Sequence, residues 1–254
     1  MTVAPGRSLI VQCAPLATVR LDPPASVGPL MDEAHVWFAT LDALRDRMGT
    51  YADLLDTEEH ERAARFRFEQ DRERYILGHG LLRELLGRYL SADPVTIRMA
   101  RGEFGKPYIA GHPLHFNLSD TKDAVLIAFS RHQEIGADVE TMTRTVDHLA
   151  VSEHYFTPEE ITDIADAADG KRRFLELWTR KEAVLKASGV GIMDDLRALR
   201  VDAEHNASTI THDAFVRMAA PEYHLRTWHL GADHIVSLAK GAAFKSIRLL
   251  NAGE

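Results

Sequence analysis

The stretch Ile135-Gly136-Ala137-Asp138-Val139-Glu140 alternates with a period of two. That spacing predicts a β-strand, because successive side chains of a strand leave opposite faces. Ile135, Ala137 and Val139 then point into a core, while Asp138 and Glu140 leave together from the other side. Two carboxylates that close repel unless a cation or a proton stands between them. Gly136 on the acidic face is expected to leave room for a bulky ligand. Two readings stand for the motif alone: a ligand-bearing strand face, and a solvated face beside a loop.

Downstream, Thr157-Pro158-Glu159-Glu160 reads as a helix start, with Thr157 as cap, Pro158 in the first turn and Glu160 closing a capping box. Residues 174–188 carry helical spacing and Gly189 ends them. Trp178, Glu182 and Lys186 recur every four residues and share one stripe of that helix. Phe174, Leu177, Val184 and Leu185 form its apolar face. Glu182 before Lys186 is also the favoured order for an ordinary surface ion pair. Tail strands are expected at Val216, 223–229 and 235–240.

Upstream, residues 114–118 and 124–130 look like an antiparallel pair, and Gly105-Lys106-Pro107 like a turn. Lys106 there is either a phosphate contact or a solvated turn residue. Residues 35–41 read as a strand, and 54–67 and 74–90 as helices. A strand, helices and a strand pair thus occur twice, dividing near residues 131–133. The expected fold class is α+β: two similar halves related by pseudo-twofold symmetry, each a small, mainly antiparallel sheet packed on helices. Residues 1–30, rich in Pro, Ala and Gly, are expected to be a loosely ordered extension. Residues 31–132 form the N-terminal half, and 133–254 the C-terminal half with the acidic strand.

Composition narrows the function. A formal charge of −8 argues against general nucleic-acid binding, which needs a basic face. The single cysteine, Cys13, excludes an intrachain disulfide and a cysteine-based metal site. No apolar run approaches the ~20 residues needed to span a bilayer. Residues 8–18 are mildly signal-like, but Gln12 and Pro15 interrupt them. A cytoplasmic location is expected. Arginine outnumbers lysine 23 to 7, and three of the seven lysines, 106, 181 and 186, lie in the motifs above.

Read in order, G-K-P at 105–107, F-N-L-S at 116–119, G-x-D-x-E at 136–140 and W-x-x-K-E-A-x-x-K at 178–186 resemble the Sfp-type 4′-phosphopantetheinyl transferases. Arg65-Phe66, the run from Arg74 to Gly78 and the run from Tyr155 to Glu160 resemble further segments of that family. The resemblance implies a transferase that moves the phosphopantetheine arm of coenzyme A onto a serine of an apo acyl or peptidyl carrier protein, releasing 3′,5′-ADP. It implies Mg²⁺ on Asp138, Glu140 and Glu182, with Glu182 also taking the serine proton and Lys186 neutralising the leaving phosphate. It implies that Lys106, Ser119 and Lys186 meet the phosphates of coenzyme A, and that Arg74, with Arg62 or Arg65, serves the 3′-phosphate. A monomer is implied too, because shorter relatives assemble as trimers to make a cleft that a chain of this length supplies itself. Fatty-acid, polyketide, nonribosomal-peptide and siderophore carriers all stay open.

One position departs from the pattern. Asp120 stands where the family usually has histidine, and an ionised aspartate cannot donate to phosphate. Asp120 is therefore expected to turn away and accept backbone N–H bonds in the loop through Thr121 and Lys122. The rival readings are a metal-dependent phosphodiesterase, which would need more metal ligands and a basic surface, and a non-catalytic family member.

Overall fold

The alternation at residues 34–40 builds β3, the first strand of the N-terminal half. The structure, a computed structural model, describes residues 6–24, 28–191 and 196–254. Two strands precede β3: β1 (Arg7–Cys13) and β2 (Ala17–Val19). After β3 (Ala34–Thr40) come α1 (Leu41–Leu44), α2 (Met48–Leu54), α3 (Thr57–Ala64) and the long α4 (Glu69–Leu90). The short pair β4 (Ala100–Arg101) and β5 (Pro107–Tyr108) leads to the hairpin β6 (Leu114–Asp120) and β7 (Ala124–Arg131).

The C-terminal half repeats this plan. Strand β8 (Ile135–Thr141) is followed by α5 (His148–Tyr155), α6 (Pro158–Asp166) and the long α7 (Gly170–Ser188). Then come β9 (His205–Ile210), α8 (Asp213–Met218), the hairpin β10 (Glu222–Leu230) and β11 (His234–Lys240), and finally β12 (Ile247–Asn251). In each half the first strand lies antiparallel to the second strand of the hairpin, giving the orders β3-β7-β6 and β8-β11-β10. The two halves share one strand–helix–hairpin unit. No helix among the described residues is long and apolar enough to cross a membrane.

Alternation places three cores. Trp37, Ile127 and Phe129 pack against α4 with Leu81 and Leu85. Leu225, Ile235 and Ala239 pack against α7 with Phe174 and Val184. The remaining faces of the two sheets meet each other through Val36, Phe38, Leu126, Ala137, Val139 and Leu238. The layers therefore run helix, sheet, sheet, helix. Strands β3, β7, β8 and β11 are covered on both faces, which explains their nearly unbroken burial.

Helix ends follow the expected chemistry. The Thr157 side chain accepts from Glu160 N, and the Glu160 carboxylate from Thr157 N. Asp56 and Glu59 make the same box at the start of α3. Gly189 closes α7 in the left-handed conformation, φ 75°.

Two expectations are corrected. Arg7–Cys13, taken from sequence as part of a loose extension, is a strand between β9 and β10, with Leu9 and Val11 buried against the C-terminal core. Residues 1–5 and 25–27 of that extension lie outside the described residues. Val216, expected in a strand, lies in α8, whose His212 side chain accepts from Phe215 N as its cap. The chain ends also cross over: β1 joins the C-terminal sheet, whereas β12 runs parallel to β3 in the N-terminal sheet.

Candidate active site

The acidic strand and the long helix meet because Gly136 has no side chain. A Cβ there would lie 2.0 Å from Ala183 O and 2.3 Å from Ala187 N. Gly136 therefore seats the backbone of α7 on β8; it does not leave room for a ligand, as its sequence context suggested. That contact brings the helix stripe of Glu182 and Lys186 over the strand face of Asp138 and Glu140.

Strand β8 is the open edge of its sheet, and the side chains of β6 close it. Asn117 Oδ1 accepts from Ala137 N at 2.8 Å, and Ser119 Oγ accepts from Val139 N at 3.4 Å. Ser119 also donates to Asp138 Oδ1 at 2.8 Å. The F-N-L-S segment thus ties one half to the other at the acidic strand. Lys186 Nζ completes the group, 2.5 Å from Asp138 Oδ1 and 2.9 Å from Ser119 Oγ.

Electrostatics reflect this crowding. Loss of water, then the charge of Asp138, pushes the carboxyl of Glu140 up to about 7 and that of Glu182 up to about 7 as well. Burial opposes the charge on Lys186, but Asp138, Glu182 and Asp120 outweigh it and hold the ammonium above its ordinary value. Arg144 donates to Glu140 and lies 5.8 Å from the centre of the Trp178 ring. Sequence reasoning missed Arg144; its only signal was a position four residues after Glu140. Among the described residues no three His, Cys, Asp or Glu side chains close on one point as a metal-ligand set.

The remaining candidates divide. Lys106 lies at the far end of β8, donating to Glu134 at 2.5 Å and to Ile135 O at 3.0 Å, and burial lowers its pKa. Arg62 stacks over Tyr75, 5.6 Å from the ring centre. Together with Arg65, Glu58 and Phe66 it lines a cavity of about 440 Å³. Arg65 also reaches Glu61 at 3.6 Å. Arg74 is elsewhere, its Nε 2.6 Å from Asp120 Oδ2. Asp120 is the last residue of β6 and pairs with that arginine, not with loop N–H groups as expected.

Lys181 of the W-x-x-K-E-A-x-x-K run faces the opposite way. It is almost fully buried, 2.7 Å from Glu160 Oε2, and donates to Leu196 O and Tyr155 O. Its role is to hold α6 on α7. A larger cleft of about 640 Å³ opens between the halves beside the Asp120 end of β6, lined by Thr40, Arg45, Glu73, Lys122, Asp123 and His234.

Comparison with known proteins agrees with this layout. Residues 134–239, which carry the β8–α7 seam, match the family model described as the 4′-phosphopantetheinyl transferase superfamily. Residues 42–132 match the model for the 4′-phosphopantetheinyl transferase N-terminal region. The 4′-phosphopantetheinyl transferase HetI of Nostoc sp. is 34% identical over 178 residues, 68% of this chain and 75% of that protein. A phosphopantetheinyl transferase of Thraustochytrium sp. is 32% identical over 235 residues, 85% and 79% of the two chains. The 4′-phosphopantetheinyl transferase Sfp of Bacillus subtilis is 32% identical over 145 residues, 56% of this chain and 63% of that one. Two models that meet at the boundary between the halves, and relatives that span most of both, lead to one conclusion: the chain belongs to the 4′-phosphopantetheinyl transferase family.

Proposed function

We propose that this chain transfers the 4′-phosphopantetheine group of coenzyme A to a serine hydroxyl of an apo acyl or peptidyl carrier protein, releasing 3′,5′-ADP. The observation that carries the reading is the convergence of Asp138, Glu140, Glu182 and Lys186 on the β8–α7 seam of a family member. Asp138 and two buried glutamates whose carboxyls it helps to raise are a hard-oxygen set, which suits Mg²⁺ shared with substrate phosphate. Asp138, Glu140 and Glu182 would hold the ion. When bound, it would supply positive charge beside the pyrophosphate.

Glu182 is the group suited to take the serine proton. Burial and the neighbouring Asp138 raise the affinity of its carboxylate for a proton. The serine oxygen then forms a bond to the β-phosphorus as the bond to the ADP oxygen breaks. Lys186, already drawn to this spot by Asp138 and Ser119, faces the charge that grows on the leaving phosphate. Lys106 and the arginines 62, 65 and 74 are proposed phosphate contacts, reached once Lys106 leaves Glu134. The protein would act as a cytoplasmic monomer, with the cleft between its own halves taking coenzyme A.

Incubation with coenzyme A, Mg²⁺ and a panel of apo carrier proteins, read by intact mass, tests the reading. One carrier should gain one phosphopantetheine on its serine, and no gain after serine-to-alanine substitution in that carrier. Binding of coenzyme A with no modification of any fatty-acid, polyketide or peptidyl carrier would overturn it.

A further inference from the structure

The end of β6 carries a dipeptide whose side chains leave opposite faces of the strand. Ser119 turns to β8, where its Oγ accepts from Lys186 Nζ at 2.9 Å. Asp120 turns to α4, where its Oδ2 lies 2.6 Å from Arg74 Nε. A second carboxylate grips the same guanidinium, with Arg74 Nη2 3.0 Å from Asp71 Oδ1. A lysine of the C-terminal half and an arginine of the N-terminal half are thus drawn to the two sides of one dipeptide. Asp120 also feels the charges of both Lys186 and Asp138, which puts the arginine pair within electrostatic reach of the seam.

A lone carboxylate at this point would repel any phosphate bound against Lys186. Pairing with Arg74 offsets part of that charge, and it does something else as well. An arginine side chain has many rotamers, and binding an anion with it costs the entropy of fixing them. Two carboxylates, at Nε and Nη2, fix the planar fork in advance.

We propose that Asp120 is a positioning residue: with Asp71 it holds Arg74 so that the guanidinium meets a phosphate of the coenzyme A ligand. The Arg74–Asp120 pair then takes the place of the single histidine that the family pattern puts at position 120. The proposal rests on the transferase reading for its ligand, but its titrations read binding without any carrier protein.

Calorimetric titration with coenzyme A and Mg²⁺ should give about tenfold weaker binding for Arg74→Ala and a loss of several-fold for Asp120→Ala. In transfer assays Asp120→Ala should raise KM for coenzyme A with kcat nearly unchanged. In the Arg74→Ala background, Asp120→Ala should cost nothing further, because the carboxylate acts only through the arginine. Arg74→Lys, which keeps the charge and loses the fork, should recover little. Should Asp120→Ala melt early, Asp120→Asn, which keeps the shape and removes the charge, carries the same expectation. Titration with 3′-dephospho-coenzyme A names the phosphate: a loss that persists assigns the pyrophosphate, and one that vanishes assigns the 3′-phosphate.

Unchanged affinity in Arg74→Ala, additive losses in the double variant, or tighter binding by Asp120→Ala would each overturn the proposal. If these appear in a chain that still modifies carriers, only the pair is wrong. A wild-type chain that does not bind coenzyme A would sink the transferase reading and the pair with it.

Discussion

Strands β3 and β8 hold the same place in their halves, and only one of them carries chemistry. Trp37 opposes Ile127, the fourth residue of its hairpin strand, as Asp138 opposes Ser237. By the same register His35 matches Gly136 and Ala39 matches Glu140. In the N-terminal half the seam with the long helix is closed. Trp37 Nε1 donates to Tyr89 OH at 2.8 Å, and His35 Nδ1 lies 2.7 Å from the same oxygen. In the C-terminal half the glycine lets the helix in and the carboxylates keep the seam polar. The halves share something else. In each, a buried cation on the long helix pairs with the first-turn glutamate of the preceding capping box, Arg83 with Glu59 and Lys181 with Glu160. The repeated device is structural; the site arose where the halves differ, at three strand positions and one helix stripe.

If that division is right, the largest stability losses come from the shared device. Lys181→Met and Arg83→Met each leave a buried carboxylate unpaired, and each should cost about 3–5 kcal/mol in denaturant unfolding. A loss under about 1 kcal/mol in either half would break the equivalence.

Next come the residues that differ. Asp138→Ala and Lys186→Ala should lower transfer about 10²-fold or more while the protein stays folded. For Lys186→Ala the loss should fall on kcat more than on KM, because its charge matters most as the leaving phosphate gains charge. Near-normal transfer by Asp138→Ala at limiting Mg²⁺ would remove that carboxylate from the site.

A smaller effect separates the halves by pH. His79 of α4 stacks on Tyr75 with ring centres 3.9 Å apart, and burial pushes its pKa down to about 4. The unfolded chain binds this proton from about pH 6.5, and the folded chain does not until about pH 4. Stability is therefore lost as pH falls through that window, by about 1–2 kcal/mol at pH 5. His79→Phe should flatten that limb in melts taken from pH 7 to 5, and an unchanged slope would place the loss elsewhere. The smallest effect is expected at the closed seam: Trp37→Phe should cost about 1 kcal/mol for its lost hydrogen bond and leave kcat unchanged.

Much of this was legible from local spacing. The acidic strand, the capping box at Thr157, the stop at Gly189 and the hairpin before Ile135 all depend on neighbours within one turn or one strand pair. What escaped depends on distant partners. Strand β1 is paired entirely by residues near the other end of the chain. Gly136 and Lys181 look like site residues until the helix backbone and Glu160 arrive against them. Asp120 looks like a misfit for phosphate until Arg74 is placed beside it.

The crossing of the chain ends has a consequence for synthesis. Ile10 pairs with Glu222, so β1 leaves the ribosome roughly 200 residues before its partner, an interval of about 10–40 s at ordinary elongation rates. Strands β3, β6 and β7 can form their ladder in that time, but Leu9 and Val11 have no sheet to enter until β9 and β10 emerge. Strand β12 follows β11, and it pairs with the half that was made first. The nascent N-terminal half must therefore wait, one strand short and with β1 unpaired, until β12 has emerged.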